Sequence, residues 1–175
     1  MSENKSSKIV LKNVRLSFPS LFTKSVYEGK EGKYSATFLL DKKDTKTKKL
    51  LDEAIAKAIA EAKIKIPSAN TFLQDGDEKE YEGFEGHWSI KASNAKRPVV
   101  IDRDKTPLTA DDEKLFAGCY VNGMIDIWIQ NNGYGKRVNA NLYGVQFVKE
   151  GEPFGNSGPV SEKVIDEFDD LGDDI

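Results

Sequence analysis

A chain of 175 residues, 38% hydrophobic and 31% charged, is long enough to bury a core; it excludes a disordered polyelectrolyte and, lacking any run of about 18 apolar residues, a membrane-spanning helix. The polar start MSENKSSK carries no apolar signal segment, and one cysteine with one histidine exclude an internal disulfide and a His/Cys metal cage, so a cytoplasmic protein without metal or cofactor is expected. The net charge of −3 divides unevenly: residues 161–175 hold seven acids and one base, which leaves 25 Lys and Arg against 22 Asp and Glu, or +3, on residues 1–160.

In chain order, Val14, Leu16 and Phe18 alternate with Arg15 and Ser17, the period of a strand, and Pro19 is expected to end it. The loop YEGKEGK leads into a second alternating run at Tyr34, Ala36, Phe38 and Leu40. In DTKTKKLLDEAIAKAIAEAKIK, Leu51, Ile55, Ala58, Ile59 and Ala62 share one helical face, and Pro67 lies just past the end. Residues 68–86, acidic and Gly-bearing, read as an extended loop. Trp88, Ile90 and Ala92 alternate with Ser89 and Lys91 as a strand, and SNAKRP turns into VVID. Thr109 followed by Asp111, Asp112 and Glu113 predicts the capped first turn of a short helix. Tyr120–Gln130 and Arg137–Val148 form strands joined by the turn Asn131-Asn-Gly-Tyr-Gly135. Five strands with one long and one short helix predict a mainly β fold, a small barrel with helical additions over residues 1–157, followed by a flexible acidic tail over 158–175.

Catalytic chemistry has little to work with. No P-loop, G-x-S-x-G elbow or dinucleotide fingerprint is present, and His87 is the one imidazole, which reads as a surface side chain. Asp102 with Asp104, and Asp75 with Asp77, are spaced for magnesium, but each pair lacks a third acid and sits where turns favour Asp anyway. Cys119, between Gly118 and Tyr120, reads as a buried small hydrophobe. No enzyme is expected.

The hairpin says more. Ile125, Ile127 and Ile129 share one face, which sends Trp128 to the other with Asp126 and Gln130. Val138, Ala140 and Leu142 likewise oppose Arg137, Asn139, Asn141 and Tyr143. If the aliphatic set packs inward, Trp128 and Tyr143 share a wet face with Arg137, near Lys136 and Tyr134 of the turn. Rings on such a face suit stacking on unpaired bases, with cations beside them for phosphates. The rival reading packs Trp128 across strands under the long helix, and a bulge at Gly144 would turn Tyr143 inward. Two further basic groups carry aromatics: Lys91, Lys96 and Arg97 beside Trp88, and Arg15, Lys30 and Lys33 with Phe18, Phe22 and Tyr34.

The blocks VRLSFPSLF, KYSATFLLDK, RPVVIDRD and FAGCYVNGMIDIWIQNNGYGKRVNANLYGVQFVKEGEPF, in that order, resemble a family of bacteriophage single-stranded-DNA-binding proteins long catalogued as a domain of unknown function. The resemblance covers residues 8–154 and implies an OB-fold, a five-stranded barrel that coats single-stranded DNA with little sequence preference during phage replication or recombination. It implies host-cell cytoplasm as the location, compatible with a homo-oligomer, and single-stranded DNA as the partner.

The acidic end, with Phe168, Asp169, Asp170, Leu171, Asp173, Asp174 and Ile175, is similar to the tails of bacterial and phage single-strand binders, although the last residue is Ile175 and the aromatic lies seven positions earlier. Such a tail is expected to contend with DNA for the cationic face and, once displaced, to recruit replication or recombination proteins. Ile165, Phe168 and Leu171 recur every three residues, the spacing of a partner-binding helix. Charge repulsion that keeps the protein soluble is the simpler use of the same tail. The competing functional classes are a protein-interaction module, such as a DNA mimic inhibiting a nuclease, and a magnesium-dependent enzyme using Asp102 and Asp104.

Overall fold

A computed structural model describes residues 8–24, 26–27 and 30–154. The tail residues from Phe168 to Ile175 lie outside this range. Strand β1 (Lys8–Ser20) is buried at Leu11, Val14 and Leu16. Its alternation slips at Asn13, where φ is 54° and the register to a later strand shifts between Leu11 and Val14. Pro19 does not end the strand. A second irregularity, with Phe18 at φ 46°, lets the chain pair on to Ser20, and a bulge is one of the few strand positions that tolerates proline.

After two short strands, β2 (Val26–Tyr27) and β3 (Lys30–Glu31), β4 (Tyr34–Asp41) sends Ala36, Phe38 and Leu40 into the core. Helix α1 (Thr45–Ala62) starts where the Asp44 carboxylate accepts from the Thr47 N–H at 3.1 Å and stops at Lys63 in a left-handed conformation. Its buried residues are Leu51 and Ile55, and it packs against the first strand of the long hairpin.

Residues 68–86 are more structured than their composition suggests. They hold β5 (Leu73–Asp75), which pairs with β6 (His87–Asn94), and two single turns of 3-10 helix. The expected short helix at Thr109 is also one 3-10 turn, Ala110–Asp112, closed by a reciprocal box in which the Asp112 carboxylate accepts from the Thr109 N–H at 2.7 Å. Strand β7 (Val99–Ile101) and the hairpin β8 (Tyr120–Asn132) and β9 (Gly135–Lys149) complete the sheet.

The barrel closes through β1–β4–β6–β9–β8 and back to β1. Every pairing in the ring is antiparallel except β6–β9, which is parallel and makes one register pair, Ser93 with Asn141. Beyond that point β6 and β9 diverge, and Thr71–Leu73 fills the gap. The Phe72 N–H donates to the Val138 carbonyl at 3.0 Å, and the Lys91 N–H donates to the Phe72 carbonyl at 3.2 Å. Five strands joined this way, with β6 and β9 parallel, form an OB-type barrel. Leu11, Leu16, Phe38, Ile90, Val121, Ile125, Val138 and Leu142 fill it.

A smaller cluster lies outside the barrel, where Leu39, Phe84, Ala117 and Phe154 pack with Phe18. Here Arg15 donates to the Gly118 carbonyl at 2.9 Å and to the Glu152 carbonyl at 2.7 Å, with its guanidinium 4.3 Å from the centre of the Phe154 ring.

Candidate nucleic-acid interface

The outer surface of β6, β9 and β8 is set by strand parity. Ile90 and Ala92 point into the barrel, so Ser89, Lys91 and Ser93 point out. Val138 and Ala140 point in, so Arg137, Asn139 and Asn141 point out. Ile125 is buried and Ile127 and Ile129 pack on the core, so Trp128 faces solvent with 38% of its surface exposed. The rival placement of Trp128 under α1 does not occur, because that site is taken by the aliphatic residues of the same strand.

Register aligns these side chains into rows across the sheet. One row runs Asp126, Asn141, Ser93 and Ser35 over β8, β9, β6 and β4. Alongside it Trp128 stands opposite Asn139, and Gln130 opposite Arg137. Where β6 and β9 part, a groove of about 410 Å³ opens, lined by Gln74, Lys79, Ser89, Lys91, Arg137 and Asn139. Three cations and a set of hydroxyl and amide groups thus line a channel whose rim leads to an exposed indole. Such a surface can hold phosphates in the groove and a base against the ring.

The hairpin turn extends the same face. Asn132 accepts from the Tyr134 N–H at 2.9 Å, Gly135 takes φ 125°, and Tyr134 is left 93% exposed beside exposed Lys136. In an OB-fold the second and third barrel strands, here β4 and β6, and the loop between the last two strands, here this turn, form the usual oligonucleotide surface.

Tyr143 is displaced from the pattern. It is the extra residue where Met124 pairs with Gly144 but Ile125 pairs with Leu142. The bulge does not turn it into the core. Its ring is half-buried on the outer surface, the hydroxyl is 3.5 Å from the Asp126 carboxylate, and the Lys8 ammonium lies 4.9 Å from the ring centre.

The other basic groups are redistributed. Lys91 joins Arg137, while exposed Lys96 and Arg97 lie with Tyr34 at the end of the barrel. Tyr34 pairs with Asn94, Arg97 stands 5.4 Å over the Phe22 ring, and Lys24 stands 5.9 Å over Tyr34. Exposed Lys33 precedes Tyr34 at the same end.

Besides Tyr143, which stands beside Asp126 and outside the cationic groove, two candidates leave the interface. Trp88 has the parity of Ile90 and Ala92, so it faces away from Lys91 and lies under α1, with the Lys42 and Lys48 ammonium groups 4.7 and 4.3 Å from its ring. Arg15 is committed to the Gly118 and Glu152 carbonyls and works as a clamp. Two groove residues escaped sequence reading, Gln74 and Lys79. Lys79 sits in the run DGDEKEYEGFE, whose acids mask it, and only the pairing of β5 to β6 brings it to the groove.

The acid pairs are engaged. Lys114 donates to Asp102 at 2.8 Å and so lowers its carboxyl pKa, and hydrogen bonds from Thr106 lower that of Asp104. Lys42 binds Asp75 at 2.6 Å and Asp77, which lowers both carboxyls and raises the ammonium pKa. Among the described residues no group of three His, Cys, Asp or Glu is placed to hold a metal. Cys119 is buried, which raises its thiol pKa.

A family model described as "Enterobacter phage Enc34, ssDNA-binding protein" matches residues 7–175. "Putative protein p50" of Acyrthosiphon pisum secondary endosymbiont phage 1 is 41% identical over 176 residues, 94% of each chain. The solved single-stranded DNA-binding protein from bacteriophage Enc34, in complex with ssDNA, is similar with TM-score 0.79 and 36% identity, over 85% of this chain and 90% of that one. The gp2.5 single-stranded DNA binding protein of bacteriophage T7 has TM-score 0.52 and 14% identity over 84% of this chain and 94% of that one, a likeness of fold alone.

Proposed function

Because the chain belongs to the family of the Enterobacter phage Enc34 ssDNA-binding protein, we propose that it binds single-stranded DNA on the outer face of β6, β9 and β8. The observation that carries this reading is the alignment of Lys91, Arg137 and exposed Trp128 across three neighbouring strands, with the groove between β6 and β9 at their centre. Phosphates lie along Lys79, Lys91 and Arg137, and bases stack on Trp128 and, at the turn, on Tyr134 beside Lys136. The cluster of Tyr34, Lys33, Lys96 and Arg97 extends the path toward the barrel end. Stacking contributes about 1–3 kcal/mol per base and reads no base edge, so sequence preference is weak.

The protein acts without catalysis, coating exposed strands during phage replication or recombination in the host cytoplasm. Its tail, with seven acids against one base over residues 161–175, contends for the same cations and, when DNA displaces it, recruits replication partners. The test is a salt titration of binding to a single-stranded oligonucleotide and its matched duplex, for the full chain and a chain ending at Pro159. Preference for the unpaired strand, a steep salt dependence and tighter binding by the shorter chain at low salt are expected. Absence of oligonucleotide binding by both chains, with binding to a nuclease instead, would replace this reading with that of a DNA mimic.

A further inference from the structure

Among the described residues, three of the exposed large aliphatic and thioether side chains gather in one place: Val10 at 47% exposure, Val99 at 61% and Met124 at 38%. With Ile101, Tyr143 and Lys8 they line a groove of about 390 Å³ across β1, β8, β9 and β7. Contiguous exposed apolar side chains rimmed by polar residues mark an interaction site. Single-stranded DNA is a poor occupant, because the lining brings one cation and stands beside the Asp126 carboxylate, where a phosphate chain needs several positive charges.

We propose that the groove seats the chain's own C-terminal segment through Ile165, Phe168 and Leu171. The described chain ends at the start of β8, within reach of the groove. Glu152 is held by Arg15, the Phe154 N–H donates to the Ala117 carbonyl at 2.9 Å, and Gly151 lies against the Tyr120 ring. From Tyr120, β8 reaches Met124 in four residues, about 14 Å at strand rise. The eleven residues from Phe154 to Ile165 extend to roughly 36–40 Å, enough to reach the groove with slack.

The chemistry matches on both sides. Ile165, Phe168 and Leu171 are the apolar residues of a segment whose other side chains are mostly carboxylates, and the rim of the groove carries Lys8. Seated there, the segment covers the apolar floor and leaves its carboxylates free to reach the neighbouring cations. The groove lies on the same outer surface of β8 and β9 as Trp128, farther from the turn. A tail anchored here is therefore held near the cationic face at high effective concentration.

The seat does not depend on DNA binding, and its test contains no DNA. Asp170→Cys in the full chain accepts a nitroxide label, since the one native cysteine, Cys119, is buried. In methyl-resolved NMR spectra the label should broaden the signals of Val10, Val99 and Met124 selectively. Val99→Lys combined with Met124→Lys should abolish the effect at the remaining Val10 methyls. Phe168→Ala combined with Leu171→Ala should do the same at all three residues. Broadening confined to the Trp128 indole, uniform broadening, or none would overturn the seat. So would broadening that arises only between a labelled chain and a second, isotope-enriched one, which would make the groove an interface between copies.

Discussion

Trp128→Ala separates stacking from charge. The side chain is 38% exposed and its neighbours on the sheet are Asp126, Gln130 and Asn139, so truncation opens no core cavity and should change stability by about 1 kcal/mol or less. Loss of one stacked base is worth about 1–3 kcal/mol. At about 1.4 kcal/mol per tenfold, the affinity for a short oligothymidine should fall roughly 5- to 150-fold. The slope of log K against log salt should stay the same, because no charge is removed. Anisotropy of a labelled oligonucleotide at several salt concentrations measures both quantities, and a thermal melt checks the fold. Trp88→Ala is the matched control: its ring lies under α1 between Lys42 and Lys48, so it should cost about 2 kcal/mol or more of stability with little change in affinity. If Trp88→Ala weakens binding and Trp128→Ala does not, the face has been assigned to the wrong side of the barrel.

Lys91→Gln and Arg137→Gln should each weaken binding to all sequences alike and reduce the salt slope by about 0.7, measured in the same titration. Arg15→Met leaves the Gly118 and Glu152 carbonyls without their charged donor and should lower stability by about 1.5–3 kcal/mol in urea unfolding, with unchanged oligonucleotide affinity. Gly123→Ala would put a Cβ 2.6 Å from the Phe38 ring and should destabilise by about 1–3 kcal/mol in the same assay. The carboxyls of Asp75 and Asp77 are lowered by Lys42, so their contribution is present above the unfolded value of about 3.9 and disappears as pH falls through the lowered folded values. The raised Lys42 ammonium contributes fully below its unfolded value of about 10.4 and loses that contribution as pH rises through the folded one. Unfolding curves from pH 2 to 12 should show both limbs, and Lys42→Met should flatten them.

Alternation along single strands already told which side of the hairpin Trp128, Arg137 and Asn139 occupy, because a period of two needs no partner to decide it. The long helix was equally plain, with its aliphatic face and the stop before Pro67 both local in sequence. What proximity along the chain could not supply was company. Lys91 and Arg137 stand 46 residues apart in sequence and share a groove only because β6 and β9 run parallel at Ser93 and Asn141. Trp88 lies three residues from Lys91 yet faces the other way, and the lysines that flank its ring come from α1 and the turn before it. Arg15 looked like one more surface cation until the barrel brought the carbonyls of Gly118 and Glu152 to it. Short-range periodicity reports the direction of each side chain, whereas strand order and register decide its neighbours, and a binding surface is made of neighbours.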